Sequence, residues 1–297
     1  MTRRYMVVHR TTYSYSDEVT SSYGRAYLTP REYPGQRLLE HEIYIDPVPS
    51  DRSVGTDVYG NTTTYFHVTA EHRNLEVTGE SLVDVDGEQP ETMPGSDMAW
   101  EAARPTSATG PLAVEFTLDL RPPEITADVI DYAAQSFAPG RPLLEAVTEL
   151  NTRIHDDFEY RSGSTTVSTS VADVFAAREG VCQDFARIGA ACLRSQGLAA
   201  RYVSGYLATD PPPGKERMVG VDATHAWAAV WLPGLDGAGT GRWIAFDPTN
   251  DQFADERYVT VAWGRDYQDV PPLRGIIYTD AKQSTIKVSV DVAPVEV

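Results

Sequence analysis

Cysteine is nearly absent from this chain, with two among 297 residues. That is too few for a disulfide framework or a cysteine-rich zinc site, so each thiol has to be judged by its neighbours. Long apolar runs are missing too: nothing approaches the ~18 to 20 consecutive apolar residues of a membrane-spanning helix. The opening, MTRRYMVVHRTTYSYS, lacks the apolar stretch and small-residue cleavage site of a secretory signal. A cytoplasmic protein with no membrane partner is therefore expected. Positive charge is also scarce. Lys and Arg number 25 against 43 Asp and Glu, a net charge of −18, and such a field repels nucleic acid and anionic lipid. The acidity suits solubility, and attraction of cationic substrates is the sharper alternative. With 41% apolar and 23% charged residues the composition is that of a globular protein. The length admits two modest domains or one large one.

Thr, Val and Tyr dominate residues 5–86, where no 3.6-residue stripe is found. Strands are expected at Tyr5–Val8, Val19–Leu28, His41–Ile45 and Thr64–Val68. A hairpin turn is expected at Asp57–Thr62, where Gly60 and Asn61 tolerate positive φ. These features describe an all-β domain over residues 1–105, a sandwich or barrel. Residues 87–111, rich in Pro, Gly and polar side chains, read as a connection. Beyond them the period changes. Ile125, Val129, Ala133 and Phe137 recur four apart, with Thr126 as candidate N-cap, over 124–137. Leu143, Leu144, Val147, Leu150, Ile154 and Phe158 form a second helical stripe over 142–158. Ser170 and Asp173 have capping-box spacing for a short helix. A helix over 182–196 follows, then strands at 199–208, 223–232 and 242–247. Helices followed by strands indicate an α+β domain over 112–262. Residues 263–297 read as a C-terminal extension, turn-rich from Asp266 to Gly275 and closing on a strand, Ile286–Val292.

The chemistry concentrates in three segments. The helix beginning at Cys182 carries Phe185, Ile188, Gly189, Cys192 and Leu193 on one stripe and stops at Gly197. Cys182 stands in its first turn, where unpaired N–H groups and the helix dipole favour an anion, here a thiolate. The same N–H groups are candidate oxyanion donors. Gly180 leaves room for a substrate carbonyl near the backbone. Cys192 falls mid-helix on the inward stripe and reads as a core residue. The segments DATHAWAAVWL (222–232) and RWIAFDPTN (242–250) alternate as strands around a glycine-rich loop, and so read as an antiparallel hairpin. Pairing Leu232 with Arg242 sets His225 opposite Thr249 and Asp247 opposite Trp227. A register shifted by two sets His225 directly against Asp247. Either way both side chains share a face, close enough for a carboxylate–imidazole hydrogen bond. Cys182, His225 and Asp247 thus fit nucleophile, base and orienting carboxylate. His9, His41, His67, His72 and His155 have no such partners in the pattern.

GVCQDFARIGAACLRSQGLAARYVSGYL (180–207), DATHAWAAVWLPG (222–234) and WIAFDPTND (243–251) resemble the bacterial transglutaminase-like superfamily, described as transglutaminase-like enzymes or candidate cysteine proteases. YMVVHRTTYSYSDEV with YLTPRE is similar to that family's N-terminal β region, and GRDYQDVPPLRG (264–275) to a segment beyond its catalytic Asp. The resemblance implies a papain-like α+β core, with Cys182, His225 and Asp247 as catalytic residues acting on a peptide or protein substrate. It also implies thiolate attack on an amide carbonyl, followed by transfer to water or to an amine, hydrolysis being the expected outcome. Amide crosslinking, or a non-catalytic peptide-binding module on the same fold, are the alternatives. Arg187 departs from the family pattern, where a histidine is associated with that place. No cofactor and no metal are expected, since the acidic clusters lack calcium-loop spacing. Supporting roles are expected of Gln183 and Asp184 beside the nucleophile, with Asp184 also able to stabilise its own helix start. Trp227, Tyr160 and Thr165 are expected as cleft or oxyanion groups, and Asn250 as a second orienting group.

Overall fold

A computed structural model of the chain describes residues 2–87, 89–209, 224–234 and 240–296. Strand β1 (Thr2–Ala26) runs through what the sequence suggests as two separate runs. Its buried side chains fall on odd positions from Tyr5 to Val19 and on even positions from Ser22 to Ala26. The switch coincides with a register shift between Val19 and Ser21, and a bulge is the device that lets one strand bend and change faces. β2 (Gln36–Asp46), β3 (Asp51–Thr56), β4 (Thr62–Val68) and β5 (His72–Asp86) follow. The turn between β3 and β4 closes with Gly60 at φ +77°, whereas Asn61 keeps ordinary backbone angles. Of the two residues that tolerate positive φ there, only the glycine takes it.

The helical part matches the periodic stripes closely. α1 (Ala127–Ala134) starts at Thr126, whose side chain accepts from the Val129 N–H. α2 (Leu143–Asp157) leads to the two-residue strand β6 (Glu159–Tyr160). α3 (Val171–Ala177) is capped by Ser170, and β7 (Glu179–Gly180) pairs in parallel with β6. α4 (Cys182–Ser195) then passes into β8 (Ala200–Leu207), β9 (Thr224–Pro233), β10 (Gly241–Asp247), β11 (Gln252–Phe253) and β12 (Tyr258–Gly264). The last two strands are β13 (Leu273–Thr279) and β14 (Ser284–Val295). Among the described residues β11-β10-β9-β8-β12 form a five-stranded sheet, and α4 lies across one of its faces. Phe185, Ile188, Cys192 and Leu193 of α4 pack there on Ala228, Val230, Ile244 and Phe246. Gly189 permits that closeness: an added Cβ would stand 3.2 Å from the Phe246 ring.

β13 and β14 do not form a separate extension. Both pair antiparallel with β1, from Val19↔Thr279 to Ala26↔Leu273 and from Arg4↔Val295 to Tyr15↔Ser284. The expected C-terminal extension is therefore part of the N-terminal sheet, because β1 offers edges that strands remote in sequence satisfy. Strand makes up 45% of the described residues against 21% helix, so the expected α+β description applies to the core alone and the described residues as a whole are mainly β.

The N-terminal region docks on the core in two ways. Tyr5, Val7, Val83, Val85, Val290 and Val292 form one apolar cluster with Tyr202, Tyr206, Ala226 and Val259. The free edge of β12 is closed by two buried amide side chains. Gln36 donates to Thr260 O (2.7 Å) and accepts from Thr260 N (2.8 Å). Asn61 donates to Trp263 O (2.8 Å) and accepts from Trp263 N (3.0 Å). Each amide mimics a neighbouring strand. No helix among the described residues is long and apolar enough to cross a membrane.

Candidate active site

The elements above bring three sequence-remote side chains to one place. Cys182 opens α4, with Val181 extended before it, and the first-turn N–H groups of Cys182 and Gln183 have no acceptor within the helix. Cys182 and Gln183 are both half-buried. His225 stands near the start of β9 and Asp247 at the end of β10. The hairpin takes the register that pairs Leu232 with Arg242, and its ladder ends at Phe246↔Ala228. Past that end the two side chains meet diagonally, with His225 Nε2 2.7 Å from Asp247 Oδ2. Nε2 being committed, Nδ1 is the ring nitrogen left for Cys182, which stands near enough to the imidazole to raise its pKa. Asp222, Ala223 and residues 235–239 of the predicted hairpin lie outside the described residues.

Asp247 is fully buried, and its carboxylate is saturated. Oδ2 accepts from His225, from Asn250 Nδ2 (2.7 Å) and from the Tyr258 hydroxyl (2.7 Å); Oδ1 accepts from Thr249 N (2.9 Å). Burial favours its protonated form, but the hydrogen bond and charge of His225, with those of Asn250 and Tyr258, hold its pKa below the usual value. Burial likewise opposes a charged His225. The Asp247 hydrogen bond and the Cys182 contact outweigh it and push the imidazole up to about 10. Both directions describe one arrangement, a carboxylate beside a protonated imidazole facing sulfur. The loop after Asp247 is fastened to α2: His155 Nδ1 donates to Thr249 O at 3.0 Å, and Thr152 Oγ1 donates to Asp251 Oδ1 at 2.8 Å.

Several expected supporting residues take other roles. Asp184 is buried and accepts from the Val181 N–H (2.9 Å) and from Thr165 Oγ1 (2.6 Å), so it closes its own helix start. Thr165 is turned to that carboxylate, not to the sulfur. The space that Gly180 leaves is filled by Asp184, since an added Cβ would lie 3.0 Å from its side chain. Its purpose is packing, not carbonyl access. Trp227 is 1% exposed and packs edge-on to Tyr258, with ring centroids 5.2 Å apart, behind the imidazole. Tyr160 is exposed, and together with buried Tyr202 it flanks Cys182. Burial raises both phenols, and the sulfur's charge adds to it. Asn250 does reach the dyad, at 3.4 Å from His225 Nε2. Arg187 serves a buried network, pairing with Glu124 and with Asp266 (Nε–Oδ1 2.9 Å) and donating to Thr169 O.

The residue that the sequence pattern missed is Tyr258. It lies in a run, YVTVAWG, whose alternation marks a strand without saying where that strand pairs. Burial of Cys192 raises its thiol to about 12. The other histidines are held by neighbours away from the site: His9 by Tyr206 and Thr11, His41 by Thr29 and Ser81, His67 by Ser21, His72 by Ser22. No cluster of His, Cys, Asp and Glu among the described residues is arranged to hold a metal ion.

Comparison with known proteins gives this geometry a family. Residues 5–84 match the bacterial transglutaminase-like N-terminal region, and residues 130–248 the transglutaminase-like superfamily. An uncharacterised protein of Mycobacterium tuberculosis is 61% identical over 297 residues, covering 99% of this chain and 94% of that one. One from Mycobacterium leprae is 33% identical over 283 residues, covering 92% of each. The crystal structure of a candidate cysteine protease from Cytophaga hutchinsonii has the same fold, with a TM-score of 0.72 at 21% identity, covering 100% of this chain and 92% of that one. The chain belongs to the transglutaminase-like superfamily and carries the N-terminal region found in its bacterial members.

Proposed function

We propose that this protein is a cysteine-nucleophile enzyme acting on peptide or glutamine-type amide bonds of a peptide or protein substrate through a thioester. The observation that carries the reading is the line from Asp247 through His225 to Cys182 at the first turn of α4. Helix-borne thiol and sheet-borne imidazole make this a papain-like core. The thiol proton rests on His225, and sulfur attacks the carbonyl carbon. The resulting oxyanion faces the first-turn N–H groups. His225 gives its proton to the departing nitrogen, ammonia from a glutamine side chain or an amine from a peptide, as the C–N bond breaks. Water then attacks the thioester, His225 takes its proton, and sulfur leaves. Asp247 keeps the imidazole in the orientation that both transfers need.

Hydrolysis is the favoured outcome because water needs no dedicated pocket, while an amine must arrive unprotonated. The test is intact-mass analysis after incubation with glutamine-bearing peptides and a primary amine. A Cys182 acyl adduct followed by mainly hydrolysed product is expected. Predominant amine incorporation, lost in Cys182→Ala, would make the protein a transamidase. The absence of any adduct, with iodoacetamide labelling Cys182 no faster than Cys192, would leave a peptide-binding module.

A further inference from the structure

Arg201 carries a positive charge that the described residues leave without a counter-ion. Its Cζ lies 3.7 Å from the ring centroid of Trp243 and 4.1 Å from that of Trp263, so the guanidinium is held between two indoles. Its Nε is buried with no acceptor among the described residues. Burial pushes its pKa down to about 8, and the nearby Arg31 pushes the same way. The indole faces offset part of that cost. A buried cation with no anion beside it is nonetheless an uncompensated charge.

This guanidinium lines a cavity of about 370 Å³. The cavity lies between the N-terminal region and the face of the five-stranded sheet turned away from α4, because Arg201, Trp227 and Trp243 alternate with the residues that α4 covers. Trp227, Trp243, Trp263, Tyr33 and Tyr258 give it flat walls. Two carboxylates also line it: Asp255 pairs with Arg257 at 2.6 Å, and Asp86, exposed at the rim, accepts from the Thr2 hydroxyl and keeps its charge. Arg242, exposed, adds a second cation to the lining. The volume falls within the range of small-molecule sites and corresponds to roughly a dozen waters. Cys182, His225 and Asp247 do not line it.

We propose that this cavity binds a small carboxylate with a flat apolar body, the carboxylate paired with Arg201 and the body lying along the aromatic wall beside Trp243. One guanidinium fork matches the two oxygens of a carboxylate. A phosphate would need more donors than these apolar walls supply. The assignment does not rest on the reaction at Cys182, although Tyr258 belongs both to the cavity wall and to the hydrogen bonds on Asp247.

The experiment is titration of the full chain with indole-3-acetate, with its neutral amide and with inorganic phosphate, followed by tryptophan fluorescence and calorimetry. The acid should bind saturably at one site, at least about tenfold more tightly than the amide. Arg201→Met should remove that preference, with circular dichroism reporting the fold. Ala245→Leu narrows the cavity from its floor without touching the charge, and should weaken acid and amide alike. Equal binding of acid and amide by the native chain, binding unaltered in Ala245→Leu, or phosphate binding in place of the acid would each overturn the proposal. So would no saturable binding of the acid at millimolar concentration.

Discussion

At the scale of single residues, Asp247 organises the site. Three hydrogen bonds converge on its Oδ2, and only one of them comes from His225. Asp247→Asn should leave the fold intact and lower kcat by about 10³- to 10⁴-fold, since the imidazole loses its orienting acceptor. Tyr258→Phe removes one converging donor, and a loss of about tenfold in kcat is expected, with KM little changed. Steady-state kinetics on a substrate found by the adduct screen would measure both. Full activity in Asp247→Asn would transfer the orienting role to Asn250. The same contacts fix a pH dependence of stability. His225 ordinarily titrates near ~6.5 and is raised to about 10 in the folded protein. Its contribution is complete below about 6.5 and is lost as pH rises toward about 10. Urea unfolding between these limits should show stability falling in the native chain along a slope that His225→Ala lacks.

The elements were legible in proportion to their periodicity. α2 and α4 announce themselves because Leu143, Val147, Leu150 and Ile154, or Phe185, Ile188 and Cys192, repeat one face over several turns. The β9–β10 hairpin is visible because its strands adjoin and alternate, which is why His225 and Asp247 can be placed on one face before any coordinates are known. β1 is harder to see. Its middle, Thr11–Glu18, is polar, so a single strand looks like two, and a phase change at a bulge breaks the alternation that would join them. Contacts between distant elements are carried by single side chains and leave no pattern. Asn61 reads as a turn residue, yet its amide completes the edge of β12. Asn61→Ala would leave the Trp263 N–H and C=O unpaired and should cost about 2–4 kcal/mol in stability, measurable by denaturant titration. Asn61→Asp should be nearly as damaging, because a carboxylate accepts from the N–H but cannot donate to the carbonyl.

For the molecule as a whole, the N-terminal sheet depends on the far end of the chain. Val290 and Val292 are fully buried beside Tyr5 and Val7, and β14 supplies one side of the β1 ladder. A variant ending at Asp280 should lose cooperative unfolding and bind a hydrophobic dye, seen in thermal melts and fluorescence. A truncated chain that melts like the intact one would mean that β14 is a dispensable cover. Because that apolar cluster also packs against Cys182, the loss should reach the thiol and even out its alkylation relative to Cys192.

The pairing of β1 with β14 has a consequence for synthesis on the ribosome. β1 is translated well before β14, since residues 27–283 lie between them. At about 5–20 residues per second, one edge of β1 waits on the order of ten to fifty seconds for the strand that covers it. Throughout that interval Tyr5 and Val7 lack part of their apolar cover, whereas the segments from α1 to β12 already hold Cys182, His225 and Asp247. A ribosome stalled after β12 would therefore present an open edge of β1 beside a Cys182 that lacks part of its apolar cover, the kind of surface that recruits chaperones or other nascent chains.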